Sequence, residues 1–343
     1  MTTLNSPEII TSGDFELSIV IPVHNGGEYI KECIHSIFSQ TLQQFEILIL
    51  ENASTDHTVE WLTGLNDPRI KIFPSASFLS IEKNWDRIKT IPRKKWICLQ
   101  GHDDIFKPAF IETIAGLIDQ HPGASLYQTH FDYIDAGGKL ISHCDAMEEL
   151  QQLGDYFKRT LKNGGGFVMR SADYDAVGGI PMYPGFFFAD FALWMKLTRL
   201  SYKATAAENC FSYRHHQKNT SSVSAITRFA DGLEAFLNYL YELKTEDKNF
   251  QAVLNSDGRN IIALYARSLS HRLLRERVNQ RNGLTVKKLV NRLQLHLDRL
   301  VDNNAYDISS DRMVQTALFI DRTALTRNLF LFFKKMYKKP LIK

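Results

Sequence analysis

No run of 18 consecutive apolar residues occurs in the 343 residues, so no helix is expected to cross a membrane. Cysteine is scarce. The four cysteines stand at 33, 98, 144 and 210, no two at metal-ligand spacing, and are expected as reduced core thiols of a cytosolic protein. The opening residues, MTTLNSPEIITSGDFE, have neither a basic start nor an apolar centre and do not read as a secretory signal. The expected location is therefore the cytoplasm, with the inner face of the cell membrane as a candidate site of work. An excess of one charge is also missing. The formal net charge is +3, too small to point to nucleic acid. Internal repeats and low-complexity tracts are absent. What is present is ample apolar material, 44% hydrophobic against 23% charged residues, enough for a sizeable core and two domains.

Short β-branched runs alternate with helical periodicity through the first third. LSIVIPV at 17–23, FEILIL at 45–50, RIKIF at 69–73 and WICLQ at 96–100 read as buried strands. Pro22 is expected to end the first ladder. Ile30, Cys33, Ile34, Ile37 and Phe38 keep the spacing of one helix face over 28–40, and further helices are predicted near Thr58, over 108–120 and over 188–200. Strands are predicted at 125–129, 166–170 and within 202–213. This order predicts an α/β fold with a mostly parallel sheet flanked by helices. From about residue 227 the texture turns helical, with helices predicted at 226–244, 257–278, 284–302 and 311–337. The organisation expected is an N-terminal extension over 1–16, an α/β domain over 17–225 (halves 17–122 and 123–225) and a helical C-terminal domain over 226–343.

In parallel sheets ligands bind beyond the carboxyl ends of the strands. Three polar turns fall there: HNGG after the first strand, ENAST after the second and GHDD after the fourth. The neighbours Asp103 and Asp104 repel each other unless a divalent cation is shared between them, Mg²⁺ or Mn²⁺ being the oxygen-preferring choices. Their other reading is a cap for the helix that follows. His102 beside them is either a ligand or a structural histidine. Glu51 and Asn52 offer a carboxylate and an amide to a sugar hydroxyl or base edge, or serve the turn itself.

The stretch from LSIVIPVHNGGEY to ENASTDHT resembles the opening of family 2 glycosyltransferases. The likeness continues through Lys83-Asn84-Trp85, through KKWICLQGHDDIFKP, through GFVMRSADYDAVGGIPMY and FFFADFALWMKL, and to YRHHQKNTSS, over residues 17–224. It implies a GT-A fold, a Rossmann-like sheet holding a nucleotide-sugar, and inversion of the anomeric centre in one displacement. By position it implies donor contacts from Pro22, Val23, Asn25, Glu51, Asn52, Lys83, Asn84 and Asp103. The metal falls to Asp103 and Asp104, and the general base to Asp190. Arg214, His215 and His216 are candidates for a loop closing over the diphosphate, and Arg170 and Trp194 for the acceptor side. Two carboxylates of the usual pattern are replaced, by Gly101 and by Ala189, and Glu51 stands for the usual Asp. Asp190 lies among aromatic residues, a setting that raises a carboxyl toward a useful base.

The implied activity is transfer of a sugar from a nucleotide-diphosphate sugar, UDP-linked by family habit, to a glycan or lipid-linked glycan acceptor in surface polysaccharide or glycoconjugate synthesis. A nucleotide-sugar-binding scaffold without catalysis is the alternative that the replaced carboxylates keep open. A nucleotidyltransferase would need a basic Gly-rich loop that HNGGEY does not supply. Residues 322–343 hold aromatics and lysines and no acidic residue. They are a candidate peripheral membrane contact, or a terminal helix packed on the protein. The helical region is also a candidate surface for homo-oligomerisation.

Overall fold

The structure is a computed structural model that describes residues 15–158, 165–216, 225–276 and 281–336. Two compact units divide the chain: Met1–Tyr156 with Leu161–Ser222, and Phe157–Thr160 with Val223–Lys343.

The first unit is built on one sheet. Its strands are β1 (Leu17–Val23), β2 (Phe45–Glu51), β3 (Ile70–Phe73), β4 (Trp96–Leu99), β5 (Ile105–Phe106), β6 (Leu126–Ile134), β7 (Leu140–His143), β8 (Leu150–Gln151), β9 (Phe167–Arg170) and β10 (Lys203–Arg214). The order is β3-β2-β1-β4-β9-β6-β10-β5, with β7 on β6 and β8 on β10. Along that path only β9 and β5 run against the others. β1 and β2 are buried along their whole length, as a central parallel sheet covered on both faces requires. Pro22 does not end the ladder: it still pairs with Leu50 of β2. Val20 is the last β1 residue in register with β4, and its carbonyl takes the N–H of Gln100. Pro22, next in that alternation, lies past the end of β4, so its missing N–H leaves no ladder bond unmade.

The helices of this unit are α1 (Gly27–Phe38), α2 (Thr58–Gly64), α3 (Ile81–Asp86), α4 (Phe110–Gln120), α5 (Asp155–Lys158), α6 (Ser171–Ala176) and α7 (Ala189–Leu200). Helix α1 buries Ile30, Cys33, Ile34 and Ile37, and α4 buries Phe110, Ile111, Ile114, Leu117 and Ile118. Both stripes follow helical spacing and complete one core with β1, β2, β4, β6 and β10. All four cysteines are unpaired, three of them buried.

The second unit holds α8 (Ile226–Glu246), α9 (Lys248–Arg275), α10 (Val286–Leu300), α11 (Arg312–Asp321) and α12 (Ala324–Met336). Helix α9 starts nine residues before the predicted 257, because Asp247 caps it by accepting the N–H groups of Asn249 and Phe250. The predicted helix over 311–337 is two helices. The hydroxyl of Thr323 accepts the N–H of Thr326 at 3.1 Å and starts α12 afresh.

Candidate active site

The turns after β1 and β2 are tied to each other. Asn25 takes φ 52°, a left-handed conformation in which Asn is among the least strained side chains. Its Oδ1 accepts the N–H of Thr55 at 2.7 Å, and its own N–H donates to the Ser54 hydroxyl at 2.9 Å. The N–H of Gly26 donates to Thr58 Oγ1 and that of Gly27 to Asp56 Oδ2. Within the second turn, Glu51 folds back so that its carboxylate accepts the N–H groups of Ala53 and Ser54. The buried Asn52 side chain pairs with the backbone of Leu79 in both directions, 2.8 Å in and 3.0 Å out, and so fixes the segment leading into α3. Asn84 donates to the Leu50 carbonyl. Arg87 ties the ends of three elements by donating to Glu51 O, Asn84 Oδ1, Phe73 O and Pro74 O.

The turn after β4 brings the two aspartates together. A β-carbon on Gly101 would stand 2.8 Å from Asp104 Oδ2 and 2.9 Å from Asp103 Oδ1. Both carboxylates therefore aim at the space that a side chain at 101 would fill. Asp104 is buried, and its Oδ1 accepts the N–H of Arg214 at 2.8 Å. Asp103 pairs with His216 Nε2 at 2.8 Å, and His216 stacks on Tyr29. Burial, and then the charge of Asp103, raise the Asp104 carboxyl well above its ordinary range. Burial also opposes ionisation of Asp103, but the His216 hydrogen bond and the charges of His102 and His216 hold it below that range. Burial lowers His102 below its ordinary range, against the opposing charge of Asp103.

The third group sits at the start of α7. The residues before it are strained: Gly185, Phe186 and Phe188 have φ of 70°, 65° and 64°. Glu82 of α3 accepts the Gly185 N–H at 2.7 Å, and Trp85 stacks on Phe186. Phe188 is the residue that caps the helix, so Asp190 is not the N-cap. Its Oδ1 accepts the N–H of Phe191 from inside the first turn. Burial raises its carboxyl to about 6. Burial, and then the charges of Asp104, Asp103 and Asp190, raise the Tyr213 hydroxyl above its ordinary range.

These turns at one rim of a doubly covered sheet match a known sequence profile. The profile described as Glycosyl transferase family 2 matches residues 18–177. Residues 18–177 are a glycosyl transferase family 2 domain. The chain is 25% identical over 225 residues to an uncharacterized glycosyltransferase of Haemophilus influenzae, which covers 60% of this chain and 68% of that one. It is 40% identical over 132 residues to the chondroitin synthase of Pasteurella multocida, which covers 37% of this chain but 13% of that larger protein. Among solved structures, S. aureus TarS 1–349 in complex with UDP-GlcNAc superposes with a TM-score of 0.68 at 14% identity, over 90% of this chain and 92% of that one. That likeness is one of fold, and the GT-A arrangement expected from the sequence is the one observed.

The expected site residues divide sharply. Asp103 and Asp104 converge beside Gly101, and the charges of all three aspartates bear on the Tyr213 hydroxyl. Lys83 is exposed on α3, and Pro22 and Val23 are buried in β1. Asn25, Glu51, Asn52 and Asn84 spend their side chains on protein backbone, so they shape the turns after β1 and β2 and the start of α3. Arg214 is not a lid residue. It is fully buried and donates to Asp103 O, Ala136 O and Glu32 Oε2 while lying over the Tyr29 ring. His215 stacks on Tyr133 and meets the Tyr213 ring edge-on. The segment 217–222 of the expected closing element lies outside the described residues.

Two acceptor-side expectations also change. Arg170 ends β9, which runs against β4, so it sits opposite Trp96 at the amino end of the sheet. There it donates to Ala124 O and Pro122 O and lies over the Trp96 ring. Trp194 is buried, stacked on Phe167 at 3.8 Å between ring centres, and belongs to the core. Glu82, Arg87 and Tyr213 were missed in the sequence. The signal for Tyr213 was its place at the end of the closing strand.

The residues fit a hard cation on one side only. Two carboxylate oxygens meet beside Gly101. Among the described residues no group of three or more His, Cys, Asp or Glu is arranged to hold a metal ion. An ion placed there would draw the rest of its shell from substrate and water.

Proposed function

We propose that this chain is an inverting transferase that moves a sugar from a nucleotide-diphosphate sugar, UDP-linked, to a hydroxyl of a glycan or lipid-linked glycan in surface polysaccharide or glycoconjugate synthesis. The observation that carries the reading is the convergence of Asp103 and Asp104 beside Gly101 in the turn after β4, together with an Asp190 carboxyl raised to about 6 at the start of α7. The UDP-GlcNAc complex of TarS, whose fold this chain shares, supports the choice of donor class.

Asp190 takes the proton of the acceptor hydroxyl as that oxygen bonds to the anomeric carbon. The bond from that carbon to the diphosphate breaks, and its electron pair leaves with the nucleoside diphosphate. Asp103 and Asp104 would hold Mg²⁺ or Mn²⁺, which when bound neutralises charge on the diphosphate. His216 and Arg214 hold Asp103 and Asp104 in place from behind. The scaffold alternative rested on two replaced carboxylates. A carboxylate at 101 would collide with the pair already present, which supports reading Gly101 as a requirement rather than a loss.

A thermal-shift screen of UDP, GDP and CDP, with and without Mn²⁺ or Mg²⁺, tests the donor side. A ligand of the folded state raises its stability by mass action. Stabilisation by UDP that needs the cation supports the reading, and no stabilisation by any nucleotide contradicts it.

A further inference from the structure

Left-handed backbone crowds the approach to α7. Gly185, Phe186 and Phe188 have φ of 70°, 65° and 64°. Glycine takes this region without strain, and phenylalanine, with its β-carbon, does not. Two such phenylalanines persist only where their surroundings over-determine them. The run matters because it sets where α7 begins. The Phe188 carbonyl accepts the Ala192 N–H at 2.9 Å and opens the helix, and Asp190 lies in that first turn.

Helix α3 supplies the constraint. Glu82 is buried, and its Oε1 accepts the Gly185 N–H at 2.7 Å. A carboxylate makes a stronger bond to a backbone N–H than a neutral acceptor does. Three residues on, Trp85 stacks on Phe186 with ring centres 4.9 Å apart. That spacing places both side chains on one face of the helix, so α3 holds the consecutive residues 185 and 186 from one side. Helix α3 is itself tied to the end of β2. Asn52 pairs with Leu79 in both directions, Asn84 donates to Leu50 O, and Arg87 donates to Glu51 O. A path of fixed contacts thus runs from the carboxyl end of the parallel sheet, through α3, to the start of α7. The Asp190 carboxyl depends on it. Burial raises that group, with the Phe191 N–H opposing. A first turn free to drift would let water reach the carboxyl and return it toward its ordinary range.

We propose that Glu82 is a positioning residue for Asp190: its bond to the Gly185 N–H, with Trp85 on Phe186, holds the left-handed run and so fixes the first turn of α7. The effect of Glu82 on turnover rests on the proposed role of Asp190 as base, whereas its effect on the Asp190 carboxyl does not.

The test is a double-mutant cycle in thermal stability at pH 7.5, with Asp190→Asn made in the parent and in Glu82→Ala. In the parent, Asp190→Asn is expected to raise the melting temperature, because it removes a buried charge. In Glu82→Ala that gain is expected to shrink to about half or less. A carboxylate that only supported the fold would lower both melting temperatures alike and leave the gain intact. Turnover is read alongside. Glu82→Ala is expected to lose about tenfold or more in kcat, with UDP affinity within about twofold of the parent. Glu82→Gln keeps an oxygen acceptor at the same place and is expected to recover most of that loss. Trp85→Leu removes the stack and leaves Glu82 in place. It is expected to shrink the same gain, and serves if Glu82→Ala does not fold. No gain in the parent, an undiminished gain in the folded variants, or turnover by Glu82→Ala at the parent's rate overturns the proposal. A parent that transfers no sugar would sink the base role of Asp190, while the stability cycle would still decide the placement by Glu82.

Discussion

Asp104 Oδ2 lies 2.8 Å from the point where a β-carbon on Gly101 would stand, and Asp103 Oδ1 lies 2.9 Å from it. Real β-carbons do not approach oxygens that closely. Gly101→Ala must therefore push apart two short side chains, Asp104 buried and Asp103 part-buried, that have little room to turn. The expected result is a loss of donor affinity of about tenfold or more with the fold retained, read by titration of UDP and Mn²⁺. Gly101→Asp, which restores the family's more usual residue, is expected to be worse than Ala. A Gly101→Asp variant that binds as tightly as the parent would show that the pair does not need this space.

Arg214 anchors the same turn from below. Its guanidinium serves two carbonyls and Glu32, and its N–H serves Asp104. Lysine keeps the charge but not the planar fork, so Arg214→Lys leaves buried carbonyls without donors. A loss of about 3 kcal/mol in unfolding free energy is expected, measured by denaturant titration. Donor binding should weaken with it, since the Asp103 carbonyl loses its side-chain donor while the main-chain N–H that serves Asp104 is kept.

Asn52 was expected to meet the donor, and instead pairs with Leu79 in both directions. Asn52→Ala should release the segment before α3 and cost about 2 kcal/mol. Amide hydrogen exchange is the direct readout: the Leu79 N–H should lose protection in the variant while amides of β1 and β2 keep theirs.

Much of this architecture was legible in the chain. The β-branched runs of β1, β2 and β4 and the stripes of α1 and α4 are dictated by burial on both sides of a sheet. The direction of β9 was not legible, because a run such as Phe167–Arg170 has the same periodicity either way, and Arg170 was misplaced as a result. Strands of two to four residues, β5, β7 and β8, are too short for periodicity to register. At the site, residue type pointed to the right turns but not to the partners. Asn52, Asn84 and Arg214 are the side chains that bind either ligands or backbone, and only the fold decides which. The carboxylates were more legible, since adjacent Asp103 and Asp104 and an Asp190 among aromatics are costly arrangements without a use.

Burial raises the Asp190 carboxyl from 3.8 to about 6. Between those pH values the folded chain holds a proton there that the unfolded chain has released. Stability therefore falls as pH rises through this interval, and above about pH 6 the penalty is complete, on the order of 3 kcal/mol. Asp190→Asn carries no such penalty. The variant is expected to melt a few degrees above the parent at pH 7.5, with the gap closing near pH 4. In the parent, kcat/KM should fall as pH drops through about 6, because a base must be ionised to accept a proton.

The most direct measurement is release of UDP from UDP-sugars in the presence of acceptor and Mn²⁺, compared between the parent and Asp190→Asn, with UDP affinity measured alongside. Turnover in the parent, a loss of about 100-fold or more in the variant and near-equal UDP affinity are expected. Turnover by Asp190→Asn at the parent's rate would contradict the assignment of Asp190 as the base, and with it the proposed reaction at this site.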